Sequence, residues 1–324
     1  MPKSYYIPGD AIVYGNLNDL DDNEYSDNIR VFGHGTISGT KIPHPNDFAA
    51  GPLPEAEHKK LRMLYLTRAQ NCTYEGITVA DPAEHGIYIE GRQEHHCPNY
   101  IKWVKNITWR VNNDGGGVTG NGYIEDCFFR HQDDVLYVRG MAIRRTVLWS
   151  DVNGAPLRCS FLTHDRGANF PATLPQEMIV EDCDVIHARG VFAGSDSTTF
   201  GVITTPSGFV SDTYADGTLN TGQHVIFRNI RISDPRPVRY LVGFDANADS
   251  PVFTSDWAGI RFENIIYEHP QTWGWKNRLI GTSQARIRYW TFDKVFINGE
   301  HVDAPYLSNP AKFETNSVSD MIFK

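Results

Sequence analysis

No run of apolar residues in this chain approaches the roughly 18 that a membrane-spanning helix requires. The opening Met1-Pro2-Lys3-Ser4-Tyr5-Tyr6 lacks the apolar stretch of a signal peptide. Basic charge is scarce too: 30 Lys and Arg stand against 39 Asp and Glu, a formal charge of −9. A nucleic-acid binder would carry a basic excess or stripe, so nucleic acid is not an expected partner, and neither is a membrane. Cysteine is sparse and odd in number, at positions 72, 97, 127, 159 and 183, with no CxxC and no zinc-type spacing. That pattern predicts buried free thiols, with a single bridge such as Cys72–Cys97 as the alternative, and it predicts neither bound metal nor cofactor. Helical spacing is missing as well, apart from the short segment 54–62. What remains is a soluble, acidic chain of 324 residues punctuated by 28 glycines.

What the chain does contain is a recurring short apolar strand with an Asn, Asp or Thr at its centre. The instances centre on Asn71, Asn106, Asp126, Thr146, Asp182, Asn229, Asn264 and Asp293. The intervals are 35, 20, 20, 36, 47, 35 and 29 residues, a base period near 20 with insertions. Flanking residues alternate with period two, as in Ile124, Cys127 and Phe129 or Ile143, Val147 and Trp149, and glycine closes the segments. A fixed period of short strands marks a repeat architecture, in which each coil buries its inward side chains only by stacking on the next. The fold expected is all-β, a right-handed parallel β-helix occupying residues 1–324 as one domain. A β-sandwich also supplies many short strands, but its strands rarely repeat at two successive intervals of 20. The recurrent Asn or Asp suits a stacked turn where its side chain bonds neighbouring backbone.

Three consecutive coils align. They read Asn106-Ile-Thr-Trp-Arg-Val-Asn-Asn-Asp114-Gly, Asp126-Cys-Phe-Phe-Arg-His-Gln-Asp133-Asp134-Val, and Thr146-Val-Leu-Trp-Ser-Asp-Val-Asn153-Gly-Ala-Pro. Asp114 and Asp134 lie 20 residues apart and so should be vertical neighbours, at the roughly 4.8 Å spacing of paired strands. Carboxylates at that range push at least one pKa up. That is the condition for keeping a protonated acid beside an ionised base, as glycosidic hydrolysis requires. Asp-rich surface turns or a calcium site are the other readings of the cluster. His131, two residues before Asp133, and His85, in the corresponding turn of the preceding coil, are substrate-contact candidates or ordinary turn histidines. Asn153 could bond a sugar hydroxyl. Arg158 and His164 are subsite candidates or surface ion-pair partners. Trp149, Trp273 and Trp275 could stack on sugar or fill core, and residues 190–224 read as a long loop walling the cleft.

The run from Asn113-Asp114-Gly through Glu125-Asp-Cys-Phe-Phe-Arg-His-Gln-Asp133-Asp134-Val-Leu to Asn153-Gly-Ala-Pro resembles the catalytic core of glycoside hydrolase family 49, which contains dextranases and isopullulanase. Tyr6-Ile-Pro-Gly-Asp-Ala-Ile-Val-Tyr-Gly and Val31-Phe-Gly-His-Gly-Thr-Ile-Ser-Gly are similar to the start of its β-helix, the latter phrase being shared with polygalacturonases. The resemblance covers roughly residues 5–190. It implies a pectin-lyase-like solenoid and inverting, endo-acting hydrolysis of an α-glucan such as dextran or pullulan, secreted or periplasmic. Asp133 would be the general acid, with Asp114 and Asp134 activating water. The chain departs from the family in two places. The family's N-terminal β-sandwich is expected to be absent, and Leu157-Arg158-Cys159 onward replaces a tryptophan-rich stretch. A polygalacturonase-like hydrolase, a polysaccharide lyase and a non-catalytic glycan-binding adhesin are the competing functions.

Overall fold

The computed structural model describes residues 2–19, 26–44, 57, 60–91, 98–110, 113–119, 122–138, 141–151, 154–159, 178–188, 201–204, 225–234, 240–245, 257–268 and 276–324. These build a parallel β-helix, as the spacing predicts. Every strand pairing among them is parallel except the terminal hairpin of Thr291–Ile297 with Glu300–His301. Each coil contributes strands to three faces. In the best-defined coil these are Asn99–Lys102, Lys105–Ile107 and Gly116–Thr119; the next coil repeats them as Gly122–Glu125, Phe128–His131 and Leu136–Val138.

Register makes every inward position a column. Val31, Tyr74, Ile101, Ile124, Ile143, Val180, Phe227, Phe262, Phe292 and Phe323 follow one another across successive coils. The four phenylalanines stack with centroids 5.3, 5.1 and 6.0 Å apart, which places apolar area against apolar area without a gap. One residue along, on the outer surface, the column alternates in charge from Glu125 to Glu263. Arg144 bridges Glu125 at 3.4 Å and Glu181 at 2.7 Å, and Arg228 bridges Glu181 at 3.6 Å and Glu263 at 2.7 Å. Like charges stacked at strand spacing would repel, so the alternation keeps the register from slipping.

The polar ladder is real but shifted in places from where the strand pattern puts it. Residues with a left-handed backbone recur at Asn28, Asn71, Trp103, Asp126, Arg145, Asp182, Asn229, Asn264 and Lys294, with φ between 47° and 56°. Asn and Asp tolerate that conformation best, and their enrichment here follows. Their side chains bond each other rather than neighbouring backbone: Asn71 donates to Asn28 at 2.7 Å, and Asn229 to Asp182 and Asn264 to Asn229 at 2.9 Å each. Asn106, Thr146 and Asp293 do not belong to this column. Trp103, Arg145 and Lys294 occupy their coils' corners instead, and composition does not mark them.

Cys72, Cys127, Cys159 and Cys183 are buried, as the sequence predicts; Cys97, and with it the Cys72–Cys97 pairing, lies outside the described residues. A helix that the spacing did not predict, Ala304–Ser308, starts at Asp303, whose carboxylate accepts the Tyr306 N–H at 2.8 Å. It adds Tyr306 and Leu307 to the core. Of segment 54–62 positions 57, 60, 61 and 62 are described, and the first three are helical. No helix among the described residues is long and apolar enough to cross a membrane.

The ladder generates a prediction. Asn229→Ala forces a left-handed alanine and deletes two side-chain bonds, so it should cost about 1–2 kcal/mol. Asn229→Gly should retain more of that stability, since glycine carries no left-handed penalty. Urea midpoints of the two variants, read against the parent, check the order.

Candidate active site

The acidic turn forms where the chain passes from the second face to the third. Gly86 N–H donates to Asp114 O at 2.9 Å, Gly115 N–H to Asp134 O at 2.8 Å, and Val135 N–H to Ala155 O at 2.9 Å. His85, Asp114, Asp134 and Ala155 are therefore vertical neighbours on four successive coils, the stacking of Asp114 on Asp134 being the one that the 20-residue interval predicts. Strand pairing on this face is interrupted between Gly116–Thr119 and Leu136–Val138, beside the carboxylates. Gly116 has φ +119°, and a Cβ there would fall 1.6 Å from Ile87 O, so only glycine fits.

Asp134 is buried. Its Oδ1 accepts the Ala155 N–H at 2.7 Å, and Arg158 lies 3.3 Å from its Oδ2. Burial raises the Asp134 pKa; Arg158 opposes the shift and Asp114 adds to it. Asp114 accepts the Tyr137 hydroxyl at 2.5 Å, and His85 Nε2 stands 3.6 Å away. Asp133 is more exposed than Asp134, and its Oδ1 accepts the Asp134 N–H at 2.9 Å. Gly154 closes over this pair with φ +66°. A Cβ on it would come within 2.2 Å of Asp134 N and 2.6 Å of the Asp133 carboxylate, which explains the glycine in the Asn-Gly-Ala-Pro segment.

His85 joins the cluster and extends it. Its Nε2 bonds Glu84 at 2.9 Å, and its ring lies parallel to Tyr137 with centroids 6.4 Å apart. Burial disfavours its charge, but Asp114 and Glu84 outweigh burial and raise the pKa. Glu84 is in turn held down to about 2: burial pushes the other way, and His85 with Arg62, 3.2 Å distant, overrides it. The result is a run of alternating charge, Arg62–Glu84–His85–Asp114, ending at the acid pair.

His131 takes a different place from the surface turn considered for it. It is fully buried against Gly115, with Nδ1 3.3 Å from Asn113 O, and burial drops its pKa to about 3. It is a neutral strut. Asn106 is a second, its Nδ2 donating to Gly115 O at 2.9 Å, and Asn113 a third, donating to Pro82 O at 2.6 Å. Arg158 is a member of the site, mostly buried and paired to Asp134, not a surface ion-pair residue. Asn153, His164, Trp273 and Trp275 lie outside the described residues, as does residues 190–224 apart from Gly201–Thr204. Trp149 is half-buried, its indole N–H donating to Asp151 at 2.6 Å, with the Arg130 guanidinium 5.3 Å from its ring centroid. Tyr137 and Glu84 were missed from the sequence. The signal for Tyr137 was its outward place in Val135-Leu-Tyr-Val, and for Glu84 its adjacency to His85. Among the described residues no group of three His, Cys, Asp or Glu is arranged to hold a metal ion.

A carboxyl raised by burial beside a second carboxylate, with a third on the same turn, can both give and take protons within one patch. Comparison with known proteins places that patch in context. No family model matches the chain. Over 160 residues it is 26% identical to dextranases of Arthrobacter sp. strain CB-8 and Arthrobacter globiformis, an alignment covering 46% of this chain and 24% of theirs. The chain thus spans about a quarter of the length of the curated relatives it matches. Dex49A from Penicillium minioluteum superposes with a TM-score of 0.66 at 14% identity, over 99% of this chain and 54% of that one, and shares the fold. The relatives matched by sequence are named dextranases, as the resemblance to family 49 implies.

The buried strut sets a pH dependence. Between about 3 and 6.5 the unfolded chain binds a proton at His131 that the folded chain does not, so stability falls as pH drops through that window. The slope is about 1.4 kcal/mol per pH unit at most. His131→Asn removes it. Between pH 6.5 and 5 the parent should lose about 1–2 kcal/mol more than this variant, measured by denaturant unfolding at both pH values.

Proposed function

We propose that the protein is an endo-acting glycoside hydrolase whose substrate is a neutral α-glucan of the dextran or pullulan kind. The observation that carries this reading is the stacked pair Asp114–Asp134 with Asp133 on the same turn. The naming of the Arthrobacter relatives as dextranases supports it. Asp133, the most exposed member of the Asp133–Asp134 pair, protonates the departing glycosidic oxygen. Asp134 and Asp114 hold and deprotonate the attacking water, the first anchored by Ala155 N–H and Arg158, the second by Tyr137. Water arriving from the face opposite the acid inverts the anomeric centre. Such an enzyme works where polysaccharide is found, secreted or periplasmic.

The charge around the cluster favours a neutral sugar over a uronate. A polygalacturonase-like enzyme or a lyase must offer cations to its substrate's carboxylates. Here Arg158 is committed to Asp134 and Arg62 to Glu84.

Two measurements test the reading. Asp133→Asn should lower reducing-end release from dextran by about 10²–10⁴-fold with the fold retained, and a single-turnover NMR spectrum of the parent should show the β-anomer first. Near-normal turnover in the variant would remove Asp133 from its role. Arg158→Gln should shift the acidic limb of the pH–rate profile upward. Without the guanidinium the Asp134 pKa rises further, and its ionised form is lost at a higher pH. Arg158→Lys, which keeps the charge, should shift it less.

A further inference from the structure

Five residues before Asp114 stands the most exposed tryptophan among the described residues, Trp109, at 62% exposure. Exposing an indole wastes apolar area that a core would use. Yet the segment bearing it is pinned, by one residue of the preceding coil. Asp81 Oδ1 accepts the Trp109 N–H at 3.2 Å and the Thr108 hydroxyl at 3.3 Å, while its Oδ2 takes Arg110 Nε at 3.1 Å. Arg110 continues to Ile42 O at 2.8 Å and Thr40 O at 3.2 Å. The ring is backed as well: the Arg130 guanidinium lies 5.0 Å from the Trp109 centroid and 5.3 Å from that of Trp149.

The distance to the carboxylates follows from the register. Thr108 N–H donates to Arg130 O, so Thr108 stacks on His131, just as Asp114 stacks on Asp134. Three residues of chain separate His131 from Asp134, which span at most about 11 Å. Trp109 therefore sits beside the acid cluster, within two or three pyranose units of the bond that would be cleaved.

We propose that the outer face of Trp109 is a stacking platform for a pyranose ring of the glycan, a binding subsite distal to the scissile bond. This inference rests on the function proposed above and deepens it by naming a subsite. The axial C–H face of a sugar packs on a flat, polarised ring, and a ring already immobilised pays little ordering entropy on binding. The platform is matched to a neutral sugar. Arg130 is paired with Asp151 at 2.7 Å and Arg110 with Asp81 at 3.1 Å, so both of these guanidinium groups are already committed to carboxylates.

The test uses the intact chain with dextran, isomaltotriose and isomaltohexaose as probes. Trp109→Ala should raise KM for dextran and Kd for isomaltohexaose about tenfold, with kcat and the isomaltotriose Kd within twofold of the parent. Trp109→Phe should restore most of the loss, and unfolding midpoints should not move, since the side chain is exposed. The indole fluorescence change on adding isomaltohexaose should shrink in Trp109→Ala. A parent that cleaves dextran while Trp109→Ala matches it on every probe overturns the platform and leaves the hydrolase reading standing. A parent that neither binds nor cleaves any of these glucans overturns both. Tighter binding of oligogalacturonate than of isomaltohexaose, abolished by Trp109→Ala, would overturn the neutral-sugar assignment.

Discussion

The parallel backbone ladder, repeated coil on coil at about 4.8 Å, is the constraint from which the rest of the molecule follows. Once Ile101 pairs with Ile124, every other residue in the two coils has its neighbour chosen for it. Side chains cannot then be accommodated individually; each must suit the one above and the one below. The phenylalanine stack, the alternating Glu–Arg column and the asparagine corner are three answers to that requirement, on the inside, the outside and the turn.

The acid cluster uses the same constraint against itself. Stacking places Asp114 on Asp134, an arrangement that costs electrostatic energy and that the outer column from Glu125 to Glu263 avoids by alternating sign. Three devices hold it. Arg158 offsets the buried charge of Asp134, Tyr137 binds Asp114, and the Arg62–Glu84–His85 run brings a positive end towards Asp114. Below the turn, His131, Asn106 and Asn113 fill polar interior positions that an aliphatic residue would have left without partners for the backbone. The glycines at 116 and 154 let the strained chain pass. Such clustered strain and like charge are common where chemistry is done, because stability has been exchanged for reactivity.

Much of this was legible beforehand. The 20-residue interval was enough for the β-helix and for the vertical pairing of Asp114 with Asp134, since in a solenoid sequence separation converts directly into height. It was not enough for the corner column. Asn106 and Asp126 look equivalent as text, yet Asn106 points inward to Gly115 O while Trp103 takes the corner. The pattern of strands is shared by both placements, and only the backbone φ separates them. Arg158, read as a subsite or surface residue, proved to be the partner of Asp134, because its column neighbour is decided by the turn length between coils. Tyr137, Glu84 and Trp109 carried no motif at all. Their importance comes from what stands beside them one coil away.

The sequence by itself determined the architecture and the stacking of Asp114 on Asp134, because both are encoded in local residue type and in fixed spacing. Tertiary structure alone decided which groups surround those aspartates and with what effect on their protons. Burial, the approach of Arg158 and the neutrality of His131 arise from residues 18 to 24 positions distant brought within 2.7–3.3 Å by stacking. A pKa answers to distance in space, and chain position fixes that distance only after the coils have closed.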